Sequence, residues 1–158
     1  MTEDTLRTEL LCEIEPAFEH LANLQVEPQK TNLTIARPET WDDRNVKSQF
    51  AYFDPQQNHA IVREDSPYRT IDVFHEFLGH GSHLEHTRSR VNQLARGSEQ
   101  ARLEAEIAAS GVEYYYAVQQ GCLETYNHKK NSLDEGRKQL RDHVETKLDT
   151  RGCKPFLW

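Results

Sequence analysis

His75 and His80 stand five residues apart in the run Ile71-Asp72-Val73-Phe74-His75-Glu76-Phe77-Leu78-Gly79-His80. The apolar residues around them make a mostly buried helix. On a regular α-helix a spacing of five separates two side chains by about 140°, too wide for both to reach one point. A spacing of four would leave them about 40° apart. If the two imidazoles act together, the helix must bulge locally, with one residue looped out of its hydrogen-bond ladder. Gly79 tolerates such distortion, and π-bulges recur at functional sites. An ionised Glu76 in this setting is costly unless it is paired or bound. Two neutral imidazoles with a neighbouring carboxylate are the equipment of a metal site that activates water. The competing reading is a core helix with two hydrogen-bonded structural histidines.

A site of this kind requires a third protein ligand. The pattern predicts a helix over 99–120, closed by Gly121, with Glu99, Glu104, Glu106 and Glu113 on it. Stepping 100° per residue places Glu104 amid the apolar face made by Ala101, Ala108, Val112 and Tyr115. Glu99, Glu106 and Glu113 then fall on the side expected to face solvent. A carboxylate inside an apolar stripe requires a partner, so Glu104 is the expected third ligand. Small residues at Ala101, Ala105, Ala108 and Gly111 would allow close approach of the histidine helix. His80, His83 and His86 also repeat every three residues and could share one face, so His80 with His83 is a rival metal pair. The simpler reading of His83 and His86 is a polar, solvated helix end beside Glu85.

The remaining pattern supplies a framework. Residues 4–24 read as an amphipathic helix interrupted at Pro16, and 31–37 as an alternating strand. Ser48–Phe53 and His59–Arg63 read as a hairpin around the turn 54–58. A helix over 71–86 is capped by Thr70 or Asp72. Residues 87–98 form a polar connection, 131–149 a charged closing helix, and the apolar tail 152–158 docks on the rest. With 158 residues and no internal repeat or linker, residues 1–158 are expected to form a single domain. A formal net charge of -7 argues against gripping nucleic acid through its phosphates. No apolar run approaches the ~20 residues of a membrane span. The acidic N-terminus lacks a signal-peptide pattern. The three scattered cysteines, Cys12, Cys122 and Cys153, read as free thiols in a reducing cytoplasm.

Together, His75-Glu76…His80, a glutamate helix and a preceding hairpin resemble the zincin metallopeptidases, more narrowly the gluzincins. The run H-E-F-L-G-H-G-S is similar to the H-E-x-x-G-H signature of dipeptidyl peptidase III, over about eight residues. The segment Leu103–Ala109 resembles the glutamate helix of minigluzincins and of the ImmA/IrrE-like and ArdC-like metallopeptidases. The resemblance implies an α+β zincin-like domain, a small and mostly antiparallel sheet beside an active-site helix and a glutamate helix. It also implies an edge strand, Phe50–Phe53 or His59–Arg63, that pairs with an extended peptide substrate. Zn2+ would be held by His75, His80 and Glu104, and Glu76 would be the general base of peptide-bond hydrolysis. Several of these families follow E-x-x-A-E/D, with the ligand four residues before a second acid. Aligning Ala105-Glu106 to that pattern puts Arg102 at the ligand position, which leaves Glu106 as the alternative. It also leaves room for a degenerate zincin that binds metal without turnover and serves as an interaction module. Tyr114, Tyr115, Tyr126, His83 and His128 are candidate oxyanion stabilisers.

Overall fold

The five-residue spacing is met by a widened helix. A computed structural model describes residues 28–41, 50–85 and 99–150, with the backbone alone described at 99–101, 103, 104 and 150. In it the helix α1 is α-helical at Arg69–Val73, π-helical at Phe74–Gly81, and α-helical again over 82–85. The i→i+5 ladder of a π-helix brings residues five apart onto one face. The expected bulge is therefore present, but as an eight-residue segment rather than one looped-out residue. Its end is secured by Ser82, whose buried hydroxyl donates to the carbonyls of Leu78 and Gly79. Neither Thr70 nor Asp72 caps the helix. It begins at Arg69, and Asp72 is instead a buried acid paired with Ser66 and Lys129.

Three strands form one sheet: β1 (Asn32–Ala36), β2 (Ala51–Asp54) and β3 (His59–Arg63). The order is β1-β3-β2. β2 and β3 are the expected hairpin, antiparallel with Ala51 opposite Val62 and Phe53 opposite Ala60. Its turn is held by the Asp54 carboxylate, which accepts from the backbone N–H of Gln56 and Gln57, and by Asn58 at a φ of 50°. β1 lies parallel to β3. The sheet is thus mixed, not mostly antiparallel. The strand next to β1 in space is not the next in sequence, and strand patterning carries no information about that insertion. Along β3 the alternation is real: Ala60 and Val62 are fully buried. On β1, by contrast, the alternating Leu33 and Ile35 stay exposed.

β2 and β3 pack on α1, and α1 packs on α2 (Glu99–Gln119). Behind α2 lie α3 (Leu123–Asn131) and α4 (Glu135–Thr150). α2 ends at Gly121, whose φ of +69° is the left-handed stop expected of a C-terminal glycine. α3 was not legible as a helix. Its sequence, LETYNHKKN, buries one side chain, Tyr126, and has no apolar stripe. The closing helix begins at Glu135 rather than 131 because Asn131–Ser132 ends α3. The core joins Ile71 and Phe74 of α1 to Ile107, Val112 and Tyr115 of α2 and to Leu140, Val144 and Leu148 of α4. No described helix is long and apolar enough to cross a membrane. The expected helix over 4–24, the connection 87–98 and the tail 152–158 lie outside the described residues.

α1 and α2 meet at backbone distance. A Cβ built on Gly79 would stand 2.8 Å from Ala109 Cα and 3.0 Å from its carbonyl oxygen. Backbone atoms cannot step aside as a side-chain tip can. Gly79→Ala is expected to cost about 1–3 kcal/mol by overpacking, read as a lowered urea midpoint. An unchanged midpoint would mean that the two helices are not in this contact.

Candidate metal centre

The π-helical segment presents both histidines to α2. His75 is 4% exposed, and its Nε2 lies 3.0 Å from Glu106 Oε1. His80 Nε2 lies 3.4 Å from Glu106 Oε2 and 3.9 Å from Glu76 Oε2. The two imidazole rings stand edge to face, 4.9 Å between centroids. One ligand atom each from His75, His80 and Glu106 fall within 4.8 Å of one another, a spacing that one cation can bridge. On its other side the His80 ring stacks on Phe53 of β2 at 5.6 Å, which ties the hairpin to the site. The outer strand next to the site is therefore β2, while β3 is central in the described sheet.

The carboxylate brought to the histidines is Glu106. The side chain of Glu104, the expected ligand, lies outside the described residues. Positions 104 and 106 are about 200° apart around a regular helix, so one face of α2 cannot offer both. The expectation that Glu113 faces solvent is overturned, while Glu106 keeps 32% of its side chain exposed but turns to the histidines. Every residue from Ile107 to Tyr115 is buried, and Glu113 has no exposed surface. α2 is enclosed by α1 on one side and by α3 and α4 on the other. A helix buried all round has no single apolar face, so its periodicity could not rank the glutamates. The small residue that admits α1 is Ala109, on the Glu106 side. The available signal was the i, i+3, i+4, i+7 row Glu106, Ala109, Ser110, Glu113, two acids separated by small residues.

Behind the site lies a charge network that residue spacing did not reveal. Glu113 accepts from Lys129 Nζ at 2.7 Å and from Arg141 Nε at 3.1 Å. Lys129 also meets Asp72 Oδ1 at 3.0 Å. Arg141 Nη2 approaches Glu106 Oε1 at 3.9 Å. Glu113 Oε2 lies 3.7 Å from His75 Nδ1, an ion-pair distance longer than a hydrogen bond. Burial opposes ionisation of Glu113, but Lys129, Arg141 and His75 outweigh it and hold the carboxyl well below the usual range. Burial likewise opposes ionisation of Glu106, and the two imidazoles outweigh it.

The other residues singled out by sequence sit elsewhere. His83 is buried, not solvated, and is outside the three-residue cluster. Glu85 accepts from the backbone N–H of Gln29 and Lys30, so it pins the end of α1 to the approach of β1. His86 lies outside the described residues. Tyr114, Tyr115 and Tyr126 belong to the apolar core, and His128 faces Tyr68. Cys122 is a free thiol; Cys12 and Cys153 are not described. In comparisons with family models, curated proteins and solved structures, nothing matches this chain.

In the metal-free protein His75 has a definite charge state. Desolvation disfavours its imidazolium, but Glu106 and Glu113 override that and push the pKa up to about 10. A raised histidine pKa contributes stability that is complete below its ordinary ~6.5 and is lost as pH rises through the folded value. After chelator treatment, the His75 ring should thus remain imidazolium at pH 8 by 15N NMR. A neutral His75 at that pH would refute the two-carboxylate environment.

Proposed function

We propose that this chain is a zinc-dependent metallopeptidase. The observation that carries the reading is the gathering of His75, His80 and Glu106, which each offer a ligand atom within 4.8 Å of the others. Two imidazoles and a carboxylate are a common ligand set for catalytic zinc, one that leaves a position open. The charge around them suits a divalent ion. Among the described residues, Asp72, Glu76, Glu106 and Glu113 face Lys129 and Arg141 in the connected cluster, a formal excess of two negative charges.

In this reading His75, His80 and Glu106 hold the ion, so Glu106 replaces Glu104 as third ligand. A divalent ion there supplies a Lewis acid that acidifies water and polarises a carbonyl. Glu76 supplies the proton chemistry. Its side chain is about 15% exposed, and its Oε2 is 3.9 Å from His80 Nε2, beside the ligands but outside their set. From there it accepts the proton of the attacking water and returns it to the leaving amine. The zincin resemblance supports peptides as substrates, with β2 as the strand along which an extended chain would lie. With Glu106 as ligand, the sequence Glu106-Ile107-Ala108-Ala109-Ser110 follows E-x-x-A but places serine where those families carry the acid.

Elemental analysis after purification without chelators should find about one zinc per chain, in the stoichiometry of a single site. His75→Ala should lose it. Zinc retained by that variant would refute the ligand set.

Glu76→Gln should keep the metal and lose at least ~100-fold in turnover of a peptide substrate, the scale of a general base. Normal cleavage by this variant would remove Glu76 from the mechanism. Bound zinc without any hydrolysis by the native chain would favour a metal-binding interaction module instead.

A further inference from the structure

Four helices meet behind His75, and the residue at their junction is Glu113. Among the described residues it is the largest charged side chain with no exposed surface. Its carboxylate is gripped from α3 by Lys129 and from α4 by Arg141, and Lys129 is itself tied to Asp72 on α1. The oxygen that accepts from Arg141, Oε2, is also the one that faces His75 Nδ1. That nitrogen is buried with no hydrogen-bond partner among the described residues, and Glu113 is the acceptor that faces it, at 3.7 Å. A ring nitrogen that carries the proton leaves the other with the lone pair.

We propose that Glu113 is a positioning residue for the metal centre: clamped by Lys129 and Arg141, it acts as hydrogen-bond acceptor for His75 Nδ1–H and so directs Nε2 towards Glu106 and the ion. The inference rests on the metallopeptidase reading above and adds a residue to it. It also assigns a task to α3 and α4, which supply Lys129 and Arg141. Such outer partners of a ligating histidine fix its tautomer and orientation, and their loss lowers metal affinity by about 10–100-fold. A purely structural ion-pair cluster would stabilise the fold but leave the coordinating nitrogen undetermined.

The test has two arms. In the first, zinc affinity of the full chain and of Glu113→Gln is measured by chelator competition, with circular dichroism to confirm folding. A loss of about 10–100-fold in the variant is expected. In the second, the native zinc-loaded chain is studied by 15N-histidine NMR, which needs no variant and so decides the matter should Glu113→Gln fail to fold. His75 should coordinate through Nε2, with a protected proton on Nδ1. Coordination through Nδ1, or equal zinc affinity in a folded variant, overturns the positioning role and leaves the metal site standing. A native chain that takes up no zinc at all overturns both.

Discussion

His75 lies between two carboxylates, Glu106 beside Nε2 and Glu113 towards Nδ1, with almost no solvent. Much of the described architecture exists to make that arrangement tolerable. An ionised carboxylate as buried as Glu113 is costly without full compensation. Lys129 and Arg141 provide it, and each comes from a different helix behind α2. Removing one partner of such a group usually costs about 3–5 kcal/mol, because a charge is then left buried and unpaired. α3 buries little apolar surface of its own. Its place in the fold is thus explained better by Lys129, which joins Glu113 to Asp72, than by its packing.

The same constraint sets the backbone. For His75 and His80 to reach Glu106 together, α1 must widen, and α2 must come close enough for a carboxylate of ordinary length to touch both rings. The π-helical segment meets the first requirement and the Gly79–Ala109 contact meets the second. At the end of the widened segment the Ser82 backbone N–H and its buried hydroxyl both donate to the carbonyls of Leu78 and Gly79. Local sequence, helix geometry and helix packing therefore agree on one arrangement, the consistency expected of a funnelled landscape.

Much of this was legible before any coordinates. The histidine spacing demanded a distorted helix, Gly121 marked the end of α2, and the residues around 54–58 marked a hairpin. Glu106 stands beside the histidines although periodicity placed it on the wet side, for a physical reason. The argument for Glu104 assumed that α2 has a wet side, whereas its middle is enclosed on every side and its charges are balanced by distant residues. Lys129 and Arg141 lie 16 and 28 residues beyond Glu113. Their convergence is a property of how α3 and α4 fold back, which no local pattern encodes. The parallel pairing of β1 with β3 is hidden for the same reason, since strand alternation specifies a strand and not its neighbour.

The competing view, that the histidines are structural, can be weighed on charge. A proton on His75 cancels one of the two excess negative charges in the cluster and leaves the other. It also turns Nε2 into a donor to Glu106, a stable salt bridge that closes the site. A divalent ion cancels both charges and requires both imidazoles neutral, the only form with a lone pair to give. In the proposed reading, proton and metal would compete for the same pocket of negative potential. A divalent ion would cancel the cluster's charge more completely, and would give His80 and Glu76 a shared purpose beside His75. For a helix widened over eight residues, with a serine committed to stabilising its end, a two-histidine cation site is a fuller account than a single buried ion pair.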